Sequence, residues 1–150
     1  MEAFLKFAPY YFEYVAQNLF HSLPTVLSQI FGVYRLSIKN TVTGKSIKYD
    51  IMVTENLFYD RNITRIFDLK GSLRNRLVHK ESHVLQDENL AEFMFKNPLF
   101  LREHSKKMLR ASIWNDTLFL SKLDVMDYSL IVGVDEDRQE LIVGIVGKRL

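Results

Sequence analysis

An α+β domain with antiparallel sheet is the fold class this sequence predicts, and three observations predict it. Apolar residues from Glu2 to Phe20 recur at steps of three and four, the period of a helix. Residues 33–53 and 126–147 each carry two strand-like runs around a short polar turn. Between them, residues 99–123 form the longest helix-like segment.

The elements follow in order. Glu2 to Phe20 collects Phe4, Phe7, Ala8, Tyr11, Phe12, Val15 and Leu19 on one broad face, and Pro9 either kinks this helix or marks a later start. Ser22-Leu23-Pro24-Thr25 predicts a short second helix ending near Gly32, with Ser22 or Thr25 as its cap. Val33 to Lys39 alternates like a half-buried strand, Thr41 to Lys45 is a hairpin loop, and Ser46 to Val53 is the return strand. Thr54 to Tyr59 turns from polar to aromatic and reads as a connector between two layers. Ile63 to Leu69 is a third strand. His79 to His83 is a polar loop whose two histidines lack a third ligand, which argues against a metal site.

Gln86 to Phe95 predicts a helix capped by Asp87 or the preceding turn and broken by Asn97-Pro98. The long helix from Leu99 to about Leu123 has an apolar side of Leu101, His104, Met108, Leu109, Ala111, Ile113 and Trp114. Arg102, Lys106 and Arg110, four apart, make a basic row on another side. Such a row is either a solvated face or a surface for lipid or polyphosphate. Met126 to Gly133 and Glu140 to Val146 are the strands of a last hairpin, turning at Asp135 to Gln139. If it closes about Asp137, Tyr128 lies opposite Gly147.

Composition narrows the function. A chain of 150 residues is one domain at most, and 47% hydrophobic residues exclude broad disorder. No cysteine is present, so disulfides and thiolate metal centres are excluded. No apolar run is long enough to span a bilayer, and no basic start precedes an apolar core as in a secretory signal. The net charge of +2 leaves only local clusters to attract an anionic surface, and with no interleaved aromatic module a nucleic-acid partner is not expected. The six glycines form neither of the familiar nucleotide loops.

Two stretches carry chemistry. Phe67-Asp68-Leu69-Lys70-Gly71-Ser72-Leu73-Arg74-Asn75-Arg76 reads as a strand, a glycine turn and a basic run. Successive N–H groups in such a turn can hold an anion, and Lys70 adds an ammonium. Arg74 and Arg76 share a face if the chain is extended. Three cations and a turn suit a phosphate group, though an ordinary β-turn with solvated charges has the same pattern. In the second stretch, Met126-Asp127-Tyr128-Ser129-Leu130-Ile131-Val132-Gly133, a carboxylate stands at the mouth of an apolar strand.

Together these stretches resemble the phosphatidylinositol phosphate kinase family. Phe67 to Ser72 matches its F-D-L-K-G-S motif, Met126 to Gly133 matches M-D-Y-S-L-[LI]-V-G, and Glu55-Asn56-Leu57-Phe58 is similar to its inter-lobe hinge. Leu73 to Arg76 and His104 to Ser112 look most like the PIKfyve-type phosphatidylinositol 3-phosphate 5-kinases. The resemblance implies part of a two-lobed lipid kinase of the SAICAR synthase-like kind. Residues 1–54 would be the remainder of an N-lobe, 55–59 the hinge, and 60–150 part of a C-lobe.

By the same resemblance, ATP would donate its γ-phosphoryl group to the 5-hydroxyl of phosphatidylinositol 3-phosphate, with Mg2+ as cofactor. Asp127 and Lys70 would be catalytic. Asp68, Gly71, Ser72, Arg74 and Arg76 would serve the phosphate site, and Glu55, Asn56 and Leu57 would border the adenine. The implied partners are a phosphoinositide membrane surface and a scaffold protein. The implied location is cytoplasmic, peripheral on endosomal or vacuolar membranes.

The sequence departs from the family pattern at one telling place. Where the family reads I-[IV]-D for magnesium, this chain reads Ile145-Val146-Gly147, then Lys148-Arg149-Leu150. The family's phosphate loop and its lysine precede the stretch matched here, and its lipid-selecting loop follows it. Asp135 and Asp137, at the far end of the last hairpin, are too distant to replace the missing aspartate. Asp68 is the remaining candidate. The expectation is an incomplete kinase domain with little activity alone, or else a non-catalytic phosphoinositide- or scaffold-binding module. Exposed strand edges and poor solubility are expected with it.

Overall fold

A computed structural model describes residues 2–78 and 82–147. Its elements are α1 (Glu2–Phe20), β1 (Ile30–Lys39), β2 (Ser46–Thr54), β3 (Arg65–Leu69), β4 (Val84–Leu85), α2 (Asp87–Lys96), α3 (Glu103–Lys122), β5 (Tyr128–Asp135) and β6 (Glu140–Gly147). The fold is α+β, as the sequence predicts. Most of the polar loop expected at 79–83, including His79, lies outside the described residues, as do Lys148 to Leu150.

β1 and β2 form a two-stranded antiparallel sheet of their own. The other four strands lie in the order β4-β3-β5-β6. β3 runs antiparallel to β5 and β5 to β6, while the two-residue β4 is parallel to β3. This sheet is therefore antiparallel apart from the short β3–β4 pairing. The last hairpin pairs Tyr128 with Gly147 and Asp135 with Glu140, the register the sequence suggests.

Two apolar clusters share one face of the larger sheet. Phe7 and Tyr11 of α1 meet Leu120 of α3 and Ile145 of β6. Phe67, Val132 and Val134 meet Leu90 and Phe93 of α2. α1 runs through Pro9. Its buried stripe is narrower than expected: Phe7 and Tyr11 are buried, but Phe12 and Leu19 point to solvent. α3 begins later than expected and buries Ser112, Asp116 and Leu120. Trp114, Leu101 and Met108, read as its apolar side, are exposed. The basic residues Arg102, Lys106 and Arg110 are exposed too.

The predicted second helix does not form. Ser22 turns at φ +52°, and in the segment that follows, Leu27 bridges Ile145 of β6 in parallel. There Ser28 N–H donates to the Ile145 carbonyl and Ile145 N–H donates to the Val26 carbonyl. Asp116, wholly buried, pins this segment. It accepts hydrogen bonds from Tyr14 Oη (2.5 Å), Thr25 Oγ1 (2.8 Å) and Val26 N (2.7 Å). Backbone pairing and a buried carboxylate outweigh the local helix signal.

The connector docks on the opposite face of the large sheet. Phe58 lies over Gly133 and Leu57 over Gly144, where an added Cβ would stand 2.5 Å from either side chain. Neither position has room for a larger residue without a shift. On the small sheet, Tyr34, Leu36 and Ile38 pair across to Ile51, Tyr49 and Ile47, and all six are exposed.

Candidate active site

The site is built where β3 ends and β5 begins. Leu69 pairs with Leu130, so Lys70, just past β3, comes alongside Asp127, just before β5. Lys70 Nζ donates to Asp127 Oδ1 at 2.9 Å and to the Tyr128 carbonyl at 2.8 Å. The Asp127 side chain is 72% exposed. Its backbone sits at φ +63°, a left-handed conformation that aspartate accepts more readily than most residues. An ammonium and a carboxylate thus share a solvent-facing corner. The one can hold a phosphate and the other can take a proton.

The turn beside them has the shape expected. Gly71 stands at φ +72°, and the N–H groups of Lys70, Gly71 and Ser72 converge. A carboxylate of the protein itself fills the concavity. Asp87 Oδ1 accepts from Lys70 N (3.1 Å), Gly71 N (2.8 Å) and Ser72 N (3.3 Å), and Asp87 Oδ2 accepts from Arg76 Nε (2.8 Å). Burial by itself would raise the pKa of Asp87. The hydrogen bonds from Arg76 and from the Lys70 and Gly71 amides outweigh it and hold that carboxyl below the usual range.

Arg74 and Arg76 do not share a face, because Asn75 turns the chain at φ +56°. Arg74 is exposed. Arg76 turns inward, its Nη2 bonding the Asp68 carbonyl and reaching Asp68 Oδ1 at 3.5 Å. The extended-chain reading of these arginines is thereby corrected. Asn89 fastens the rest of the loop to α2 by exchanging two hydrogen bonds with the Val78 backbone.

A groove of about 560 Å³ runs beside the turn, over Leu69, Lys70, Leu90, Met94, Thr117 and Tyr128. A second cleft, lined by Ile30, Met52, Thr54, Tyr128, Ile145 and Gly147, separates the two sheets.

A family model described as phosphatidylinositol-4-phosphate 5-kinase matches residues 1–143. The chain belongs to this family. Among curated relatives of this phosphatidylinositol-4-phosphate 5-kinase family, it is 54% identical over 150 residues to 1-phosphatidylinositol 3-phosphate 5-kinase FAB1 of Saccharomyces cerevisiae. That match covers 97% of this chain and 7% of the relative. It is 49% identical to the 1-phosphatidylinositol 3-phosphate 5-kinase of Homo sapiens, again over 97% and 7%. It is 46% identical to 1-phosphatidylinositol-3-phosphate 5-kinase FAB1A of Arabidopsis thaliana, over 97% and 8%. The chain thus spans less than a tenth of the length of these relatives. Their names agree with the PIKfyve-type resemblance read from the motifs.

Within this phosphatidylinositol-4-phosphate 5-kinase family chain, the fold brings together Asp68, Lys70, Gly71, Ser72, Arg76 and Asp127, with Arg74 exposed on the same loop. Glu55, Asn56 and Leu57 stand apart on the connector. Glu55 Oε1 accepts from Gln29 N at 3.0 Å, and Asn56 Oδ1 accepts from Phe58 N at 3.1 Å. Sequence reasoning missed Asp87 and Asn89 as loop anchors. Their only local signal was that of a helix start, and their partners lie 11 to 17 residues upstream.

Proposed function

We propose that this chain is the phosphate- and hydroxyl-handling part of an ATP-dependent kinase acting on the inositol ring of phosphatidylinositol 3-phosphate at the 5-position. One observation carries the reading: Lys70 Nζ bridges Asp127 Oδ1 and the Tyr128 carbonyl at the corner joining the two motifs. In the transfer, the ring 5-oxygen bonds to the γ-phosphorus of ATP and the bond to the β,γ-bridging oxygen breaks, releasing ADP. Asp127 orients that hydroxyl and takes its proton, and Lys70 neutralises charge on phosphate oxygens. Residues 55–59 act as the hinge between an N-lobe portion before them and a C-lobe portion after them. Glu55 to Leu57 border the adenine, as the family resemblance implies.

Magnesium is the cofactor this chemistry implies, and the residues described do not fit it. Among them, no group of three or more His, Asp or Glu side chains is arranged to hold a cation. Gly147, without a carboxylate, faces Tyr128, and Asp68 is engaged by Arg76.

A second reading, a non-catalytic module docking on a phosphoinositide membrane or a scaffold, draws support from the exposed row Arg102, Lys106 and Arg110. In either reading the protein works peripherally, on the cytoplasmic face of endosomal or vacuolar membranes. Among the described residues no helix is long and apolar enough to cross a membrane.

Incubating the purified chain with magnesium-ATP and phosphatidylinositol 3-phosphate vesicles, beside Asp127→Asn, tests catalysis. The expected result is lipid binding without turnover above the variant. Turnover abolished by Asp127→Asn would show that this chain holds a working cation site. Vesicle sedimentation tests recognition. Equal binding to phosphatidylinositol and to its 3-phosphate would sink the phosphate reading.

A further inference from the structure

A backbone concavity of three successive N–H groups is a common cradle for phosphate. In this fold the cradle is already taken. The Asp87 carboxylate reaches back to receive Lys70, Gly71 and Ser72 N–H on one oxygen, while its second oxygen also lies 3.3 Å from Lys70 N and binds Arg76 Nε. Asp87 is 8% exposed. The charged group facing it is Arg76, which also engages Asp68; the Lys70 backbone N–H faces it too, but the Lys70 ammonium leaves in another direction, to Asp127.

An incoming phosphate would have to expel a buried carboxylate from a charge-assisted network. That would strand Asp87 and Arg76 without their partners, and breaking a buried ion pair in this way is strongly destabilising. A phosphate meeting the Lys70 side chain competes only with its bonds to the exposed Asp127 carboxylate and the Tyr128 carbonyl, and leaves the Asp87 network whole.

We infer that Asp87 is a positioning residue that acts as the turn's own anion: it seals the Lys70–Ser72 cradle and leaves the Lys70 side chain, not the backbone N–H groups, to recognise substrate phosphate. This rests on the reading that Lys70 meets phosphate. It adds that the Gly71 turn is a rigid mount and not a binding loop. Asp87 touches no reacting atom and acts through the turn.

Amide NMR on the whole 150-residue chain tests the inference, with inorganic phosphate as the probe. In the unmodified chain the Lys70, Gly71 and Ser72 amide signals are expected to stay put as phosphate is added. In Asp87→Ser the same three amides should exchange with solvent at least about tenfold faster, as the loss of hydrogen bonds to a charged group implies. They should then shift saturably with phosphate, while β5 and β6 signals stay unchanged. Asp87→Asn, nearly isosteric, is the second variant should the serine chain fail to fold. It keeps an acceptor but loses the charge opposite Arg76, so faster exchange is expected there too. Saturable phosphate shifts in the unmodified turn would overturn the inference. So would unchanged exchange in a folded variant. Vesicles of phosphatidylinositol with and without the 3-phosphate form a separate arm. Failure to distinguish them counts against the lipid reading, and the amide result stands or falls without it.

Discussion

Lys70 and Asp127 are 57 residues apart in sequence, yet their side chains meet at 2.9 Å because Leu69 and Leu130 are partners on neighbouring strands. The contact lies at the open end of the sheet, where an exposed ion pair adds at most about 1 kcal/mol to stability. Its value is in placement. A one-residue slip of β3 against β5 would send Lys70 to the other face.

Lys70→Met is therefore expected to leave the denaturation midpoint nearly unchanged while weakening binding to phosphatidylinositol 3-phosphate vesicles by tenfold or more, about 1.4 kcal/mol. Sedimentation and urea unfolding on one preparation check both halves. A large loss of stability with lipid binding retained would make Lys70 a structural residue.

Tyr14→Phe removes a hydrogen bond to a buried carboxylate and should cost about 1.5–3 kcal/mol in urea unfolding. Asp116→Ala should cost more, because Tyr14, Thr25 and Val26 would all lose their acceptor. Burial, together with the Asp116 hydrogen bond, pushes the Tyr14 hydroxyl from 10.0 to about 12. The raised value favours the protonated form in the folded state. That contribution is whole below pH 10 and is lost as pH climbs from 10 towards 12. Unfolding free energy should fall across that window, and the fall should be smaller in Tyr14→Phe.

Two glycine substitutions separate backbone strain from crowding. Gly71→Ala meets nothing within 4 Å, so its cost, about 1 kcal/mol, comes from φ +72° alone. Gly133→Ala drives a methyl group into Phe58 and should cost about 1–3 kcal/mol. Adding Phe58→Leu should recover part of the second loss and none of the first. Thermal melts of the four variants decide it.

Gly147→Asp adds a carboxylate where nothing among the described residues lies within 4 Å of the new Cβ, across the ladder from Tyr128. With Asp127 adjacent to Tyr128, the variant should bind Mn2+ and broaden the 126–129 and 145–147 amide signals more than the unmodified chain does. Equal broadening in both would remove this corner as a cation site.

Periodicity made much of this architecture readable. α1 shows in the Phe4–Phe7–Tyr11 spacing, β1 and β2 in their alternation, and the Tyr128–Gly147 register in the symmetry of the last hairpin. What escaped was decided by distant partners. Ser22-Leu23-Pro24-Thr25 has the composition of a helix start, but the Ser22 and Leu23 N–H groups donate back to Leu19 and Asn18, Val26 and Ser28 just downstream pair with Ile145, and the Thr25 hydroxyl goes to Asp116, 91 residues away. Arg74 and Arg76 looked like neighbours on one face until a left-handed Asn75 intervened. Asp87 reads locally as a cap and becomes the anion of the Gly71 turn only when β4 brings the start of α2 alongside β3. The hydrophobic residues of α3 predict one face, but its buried side carries Ser112 and Asp116, which no hydropathy pattern selects.

The seating of Leu57 and Phe58 on Gly144 and Gly133 bears on how the molecule can flex. Both side chains are locked into gaps in β5 and β6, so the connector travels with the larger sheet from Leu57 onward. Any swing of the β1–β2 ribbon must then turn on the short strip upstream, where Glu55 and Gln29 exchange two hydrogen bonds. That strip is the axle, and filling either glycine should loosen the bearing beneath it.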